Sequence, residues 1–343
     1  MVAGLEQFLN RQWYQGGLLS TALRPLGAMY CAASHLRHQF YAHGRRQRAL
    51  LPSLVVGNLT VGGSGKTPLV LALARHLEAK GWRPALVSRG YRARPPGHPY
   101  LVQTDDDPAR AGDEPLLLSR RSRLPVVIGP DRLQDIAWLA AQDMADIAVL
   151  DDGFQHLSLL PDLSLLVVDG ERGFGVGRCL PAGPLREPLT ALHRAHALIS
   201  NGVWTGDSSI SKAGLPLFGM QMQAQVMVSI EDSEIRQDLS TLQGRRVHAV
   251  SGIGNPERFF RQIEALGAIV ERHPFPDHHV FEKDDFRNLH AAPIVMTEKD
   301  AVKCAGLNLA NAWALRIEAV LDSAFWCWFD EQIDSIRRIH DGH

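Results

Sequence analysis

From Leu50 to about residue 200, short apolar runs alternate with stretches whose apolar residues recur at helical spacing. The runs are Leu54 to Val56, Ala85 to Ser88, Val126 to Gly129, Ile147 to Leu150, Leu165 to Asp169 and Ala197 to Ser200. Continuous apolarity of this kind suits strands buried on both faces, so the alternation predicts a parallel sheet covered by helices. Between the first two runs, Leu69, Val70, Leu73, Ala74 and Leu77 share a helical face, and Lys80-Gly81 ends it. Asn201 to Gly214, rich in Gly, Ser and Asp, is the predicted linker.

A second α/β pattern follows. Phe218 to Ser229 alternates as paired strands would, Val247 to Val250 and Ile294 to Thr297 read as strands, and Asn255-Pro256 reads as a cap before Phe259, Ile263 and Leu266. Gly252-Ile253-Gly254 lacks the third glycine of a dinucleotide fingerprint and is read as a turn. Phe325, Phe329, Ile333 and Ile336 mark a closing helix. The predicted organisation is an N-terminal segment over 1–50, a first α/β unit over 51–205, a smaller one over 206–330 that closes on it, and the end of the last helix with a tail over 331–343.

Composition changes the picture mainly at the N-terminus. The 343 residues carry a formal net charge of -1, so no basic excess predicts a nucleic-acid partner. Residues 1–50, however, hold Arg11, Arg24, Arg37, Arg45, Arg46 and Arg48 against Glu6, beside Trp13, Tyr14, Phe40 and Tyr41. A basic, aromatic and apolar segment suits a membrane surface. Its uncharged runs, Gln12 to Leu23 and Pro25 to Leu36, are each shorter than the ~20 residues that span a bilayer, and a signal peptide's cleavage pattern is missing. The same pattern also fits a helix pair packed on the protein. Cys31, Cys179, Cys304 and Cys327 are too scattered for a zinc cluster or disulfide framework, which predicts a reducing compartment. Nothing calls for an obligate protein partner.

The chemistry starts at Ser53 to Leu71, where an apolar strand, a glycine-rich turn and a helix start follow one another. Gly62, Gly63 and Gly65 let successive backbone N–H groups of Val61, Ser64 and their neighbours face one anion, and the helix adds its positive end. Lys66 can reach terminal phosphates and Thr67 can ligate Mg²⁺, as in a P-loop, although Thr60 stands at that pattern's first glycine. Ile147 to Leu150 followed by Asp151-Asp152 fits the strand whose terminal carboxylate organises Mg²⁺. Which of the two acids meets the metal stays open. Phosphoryl transfer to an alcohol also needs a proton acceptor. Asp113 in Gly112-Asp113-Glu114-Pro115 is one candidate, although the local sequence reads first as a well-formed helix cap. Asp277-His278-His279 could pair imidazole with carboxylate or form a plain turn, and Arg132 and Arg186 could clamp phosphates or be solvated.

Together these strings resemble one family, the lipid A 4'-kinases, or tetraacyldisaccharide 4'-kinases, of Gram-negative bacteria. The resemblance rests on Gly57 to Pro68, Ser88-Arg89-Gly90-Tyr91, Gly112 to Pro115, Gly129-Pro130-Asp131-Arg132, Asp151 to His156, Leu180 to Pro188, Asp277-His278 and Thr297 to Ala301, in the family's order. It accounts for Thr60, which that family's own loop carries. It implies an ATP- and Mg²⁺-dependent kinase acting on the 4'-hydroxyl of a tetraacylated glucosamine disaccharide 1-phosphate. It further implies Asp113 as catalytic base and His278 as its partner. By the same resemblance Asp151 or Asp152, with Glu187, would organise Mg²⁺, and Tyr91, Arg132 and Arg186 would line the substrate and phosphate side. The N-terminal helix would dock on the cytoplasmic face of the inner membrane. The fold class expected is α/β, with a P-loop NTPase-type mostly parallel sheet, a second smaller α/β domain and an N-terminal amphipathic segment. The rivals are a P-loop NTPase that drives a conformational change and a catalytically dead nucleotide sensor. A guanine-reading version is disfavoured, because Thr297-Glu298-Lys299-Asp300 lacks the Asn-Lys-x-Asp spacing.

Overall fold

Each apolar run of the first half forms a strand, and every position of these strands is buried. The computed structural model describes residues 2–206, 214–289 and 291–341. Residues 207–213 of the predicted linker lie outside them. The strands in chain order are β1 (Ser53–Gly57), β2 (Pro84–Ser88), β3 (Tyr100–Leu101), β4 (Val126–Ile128), β5 (Ile147–Asp151), β6 (Leu163–Asp169) and β7 (Ala197–Asn201). They continue with β8 (Leu217–Ser229), β9 (Arg236–Gln237), β10 (Arg246–Ser251), β11 (Ile269–Pro274), β12 (Ile294–Thr297) and β13 (Ala312–Leu321).

All thirteen belong to one sheet, in the order β11-β10-β12-β13-β8-β7-β6-β1-β5-β2-β4-β3 with β9 paired to β8. Its ladders are parallel except at β3–β4, β8–β9 and β8–β13. The fold is therefore α/β with a large, mostly parallel mixed sheet. Two expectations change here. Phe218 to Ser229 is one long strand rather than a hairpin, because its partner β13 arrives from far along the chain. The two halves also share the sheet through β8, which lies parallel to β7 and antiparallel to β13. A register shift between Arg316 and Ile317 bends this ribbon.

The last helix, Ser323–Asp341, is a single element, so the boundary expected at 330/331 falls inside it. Its apolar stripe leaves the second half and returns to the first. Phe325, Phe329, Ile333 and Ile336 join Leu69, Leu73 and Leu77 of the helix Lys66–Ala79 in one core cluster. His76 and Lys80 both pair with Asp330 at 2.6 Å and fix the docking. A different cluster fills the opposite face of the first half, and two smaller ones sit under the second.

Helices Val2–Gln15, Leu18–Ala22 and Arg24–Ala42 precede the sheet. One side of them is fastened to the segment 173–185. Trp13 donates to the Pro181 carbonyl at 2.9 Å, and the Ser20 hydroxyl to that of Ala182. Gly27 lies so close that an added Cβ would stand 2.8 Å from Ala182. Cys31 and Cys179 are disulfide-bonded at this contact, which corrects the expectation that the scattered cysteines stay unpaired: residues 148 apart in sequence meet only in the fold. On the second and third helices the other side carries exposed apolar residues. Leu18, Leu26, Met29 and Leu36 are 91, 52, 69 and 65% exposed. Among the described residues, no helix is long and apolar enough to cross a membrane.

Candidate active site

Strands β1 and β5 are parallel neighbours with Val56 opposite Asp151, so the loop leaving β1 and the acids ending β5 emerge side by side. The loop runs to Gly65, which stands at the helix cap with φ +94 and gives no side-chain cap. The first N–H groups of the helix Lys66–Ala79 are thus left facing outward, as anion binding requires. Gly65 is required on two counts: its backbone is left-handed, and a Cβ would stand 2.4 Å from Met222 Cε and 2.6 Å from Asn201 Nδ2.

A short ladder holds the loop's start. Val61 N–H donates to the Pro184 carbonyl at 2.9 Å, and Arg186 N–H to that of Leu59 at 2.7 Å. This ladder carries Arg186 and Glu187 to the site. It also relocates Thr60, expected among the nucleotide contacts: Thr60 is buried in a bridge to Leu185 and is not on the cavity wall. Val61 to Thr67 do line that wall.

The acids are held apart by their neighbours. Thr67 Oγ1 donates to Asp151 Oδ2 at 3.2 Å. Asp152, left-handed at φ +54, receives Arg186 Nη1 at 2.9 Å and has Lys66 Nζ 3.4 Å from its other oxygen. Burial, with the charge of Glu114 adding to it, pushes Asp151 up to about 7 against the pull of Lys66 and Thr67. Burial also pushes Asp152 up, but Lys66 and Arg186 outweigh it and hold that carboxyl below its usual value. Glu187 pairs with Arg194. Asp151 Oδ1, Asp152 Oδ1 and Glu187 Oε1 are buried oxygens without a hydrogen-bond partner.

Asp113 is not a cap. Gly112 occupies the cap position and Asp113 is the first residue of the helix Asp113–Ser122, its Oδ1 accepting from the N–H of Glu114 at 3.1 Å. Its Oδ2 lies 3.1 Å from His278 Nδ1, across a separation of 165 residues. His278 follows β11 with φ +59, a conformation that costs ~1 kcal/mol or more and is held by what surrounds it. Burial pushes the Asp113 carboxyl up, while the hydrogen bond with His278 and the charge of Lys299 hold it below the usual carboxylate range. Tyr91 lies over this pair, its ring 5.2 Å from the imidazole.

The phosphate loop, Asp152, Arg186, Glu187, Tyr91 and His278 open into one cavity of about 950 Å³, while Asp113 and Asp151 are buried just off its wall, bonded to the wall residues His278 and Thr67. Its walls come from the N-terminal helix (Tyr30, Ala33, Ser34, Arg37), the phosphate loop, Tyr91, Glu114, Asp152, Arg186 and Glu187, and from second-half residues including Gly254, His278 and Lys299. Arg132, like Thr60, was expected on the ligand side and is not on the wall. It is buried off the wall, where Nη1 donates to the Gly129 carbonyl and lies 3.6 Å from Asp135. Sequence reading passed over Glu114, Gln155, Asn201 and Lys299. Glu114 and Lys299 stand inside the resemblance strings, yet single charges on short helices look solvated until the fold brings them together.

The chain is similar to known proteins over most of its length. A family model described as tetraacyldisaccharide-1-P 4'-kinase matches residues 19–334. The tetraacyldisaccharide 4'-kinase of Acidithiobacillus ferrooxidans is 48% identical over 331 residues, 96% of this chain and 98% of that one. That of Pseudomonas aeruginosa is 43% identical over 326 residues, 94% of this chain and 96% of its own. A crystal structure of LpxK from Aquifex aeolicus, an "apo" form in complex with ATP, superposes with a TM-score of 0.78 at 30% identity, covering 93% of this chain and 99% of that one. With likeness of this extent in both sequence and fold, the chain belongs to the tetraacyldisaccharide-1-P 4'-kinase family.

Proposed function

We propose that this tetraacyldisaccharide 4'-kinase passes the γ-phosphate of ATP directly to the 4'-hydroxyl of its glycolipid, with Asp113 taking the hydroxyl proton. The observation that carries the reading is the Asp113–His278 pair, built from both halves of the chain, with His278 on the same cavity wall as the phosphate loop. The hydroxyl O–H bond breaks and its proton moves to the Asp113 carboxylate. The oxygen's lone pair forms the new bond to phosphorus as the bond to the β-phosphate's bridging oxygen breaks, and ADP leaves. Lys66 and the loop N–H groups stabilise the charge on the transferring group. Tyr91 and Arg186 face the sugar and its phosphate, and Arg132 acts from behind by holding the turn at Gly129.

Thr67, Asp151, Asp152 and Glu187 fit Mg²⁺: all offer hard oxygen donors, Asp151 Oδ1 and Glu187 Oε1 are buried without a partner, and Asp152 Oδ1 has only Lys66 Nζ at 3.4 Å. The chemistry Mg²⁺ supplies when bound is neutralisation of phosphate oxygen charge. Direct transfer requires ATP consumption to depend on the acceptor. Purified enzyme should therefore release little ADP until tetraacyldisaccharide 1-phosphate is added, and ADP release at one rate with and without it would contradict the reading.

The enzyme is further proposed to work as a peripheral protein on the cytoplasmic face of the inner membrane. Leu26, Met29 and Leu36 present an uncovered apolar stripe on the helix Arg24–Ala42, while Tyr30, Ala33, Ser34 and Arg37 of the same helix line the cavity. A lipid lying against the stripe is adjacent to the site. Replacing Leu18, Leu26, Met29 and Leu36 with serine should release the protein from anionic vesicles in a sedimentation assay, and Arg24→Glu or high salt should do so in part. Unchanged sedimentation of the serine variant would leave these helices as packing elements only.

A further inference from the structure

Lys299 is the second residue of the helix Glu298–Lys303, which β12 delivers to the seam between the halves. Its Nζ lies 3.0 Å from Glu114 Oε1, 3.5 Å from Asp277 Oδ1, 3.4 Å from His278 Nε2 and 3.9 Å from Asp113 Oδ2. Burial works against a charge there. The carboxylates of Glu114, Asp277 and Asp113 outweigh it and drive the lysine above its usual range, so it remains an ammonium.

An ammonium offers three donors and no acceptor. The imidazole nitrogen facing it must then be the acceptor, and the single ring proton belongs on the other nitrogen. We infer that Lys299 is a positioning residue: it fixes His278 as the neutral, Nδ1-protonated tautomer, which donates to Asp113 and keeps that carboxylate ionised and aimed. The inference rests on Asp113 being the base. With Nε2 accepting from the ammonium at 3.4 Å and Nδ1 on Asp113, the imidazole is placed to hold the carboxylate and not to take the substrate's proton. Asp113 must hold the substrate's proton itself.

The charged and titratable groups around the pair are Glu114 on the helix of Asp113, Lys299 and Lys303 on the helix Glu298–Lys303, and Asp277 beside the histidine. Arg92 donates to the His278 carbonyl at 3.5 Å, and the Tyr91 ring lies tilted against the imidazole. Among them Lys299 touches both members of the pair.

The test uses full-length enzyme labelled with ¹⁵N-histidine, the His278 signals being assigned by their loss in His278→Ala. Wild type should show a protonated Nδ1 and an unprotonated Nε2. Lys299→Met should move both signals toward a mixed tautomer. It should also raise the acid limb of kcat/KM by about one unit or more, the shift expected when one close opposite charge is lost. The rate should fall mainly in kcat. Lys299→Arg, which restores charge and donors, should return both readouts toward wild type. If Lys299→Met fails to fold, Lys299→Leu loses the same charge and donors and serves for the same readouts, while Lys299→Gln, which keeps an N–H donor, serves for the acid limb alone. A charge-removing variant with an unmoved acid limb and the wild-type tautomer overturns the inference. The tautomer is read without turnover, so that result leaves the base assignment standing. Conversely, full activity in Asp113→Asn removes the base assignment and, with it, the ground for this inference.

Discussion

Asp113→Asn should fold normally and lose at least about a hundredfold in turnover, the lower end of what acid–base catalysis contributes. A hundredfold is about 2.7 kcal/mol of transition-state stabilisation. The substitution is nearly isosteric and keeps an oxygen to accept from the N–H of Glu114, so the start of the helix should survive. What it removes is the ionised carboxylate. His278→Ala should also slow the reaction, because the carboxylate loses the donor 3.1 Å away. If the two residues act as one unit, the double variant should be little worse than the more damaging single change, which a double-mutant cycle in kcat/KM measures. A retained rate in Asp113→Asn would leave the residue a structural role only.

Lys66→Ala should remove turnover to a similar or greater extent, by about a hundredfold to a thousandfold, as seen when one preorganised charge or donor at a developing anion is lost. The fold should survive, because the helix that starts at Lys66 is held by Leu69, Leu73 and Leu77 in the core, and none of these touches the loop's function. The variant also leaves Asp152 with Arg186 as its remaining cationic partner. Steady-state kinetics beside a thermal melt separates the two effects. Near wild-type kcat in a folded Lys66→Ala protein would remove the phosphate-loop assignment.

How much of this was legible depends on how local each feature is. The loop from Gly57 to Thr67 is a strand, a turn and a helix start in one short string, so its geometry follows from residues next to one another. The same is true of Asp151 and Asp152 at the end of an apolar strand. The Asp113–His278 contact is not local. Its members are 165 residues apart, and each taken alone reads first as a cap or a turn. Only the family resemblance brought them together on paper. Lys299 had no such help, because its role exists only where Glu114 and Asp277 converge on it.

The fold shows the same division. Strands buried along their whole length announced themselves, whereas β13 carries Arg316 and Glu318 in a half-exposed ribbon and was passed over. Asn255 was expected to cap the helix Pro256–Ala265; it occupies the cap position without making the side-chain bond. Thr60 and Arg132 were placed by motif at the ligand, and the structure puts both behind the wall they support. In each case the motif marks a residue the loop needs for its shape. The Cys31–Cys179 contact had no local signal, since it depends on how the N-terminal helices lie on segment 173–185.

The central claim is one-step transfer from ATP to the glycolipid with Asp113 as the acceptor of the proton. Its most direct measurement follows the γ-phosphorus label of ATP in wild type and in Asp113→Asn, with tetraacyldisaccharide 1-phosphate present and both products separated. Wild type should put label on the glycolipid and release little free phosphate, and the variant should yield almost none of either. Label moving to the glycolipid at the wild-type rate in Asp113→Asn, or leaving wild type mainly as free phosphate, would contradict it.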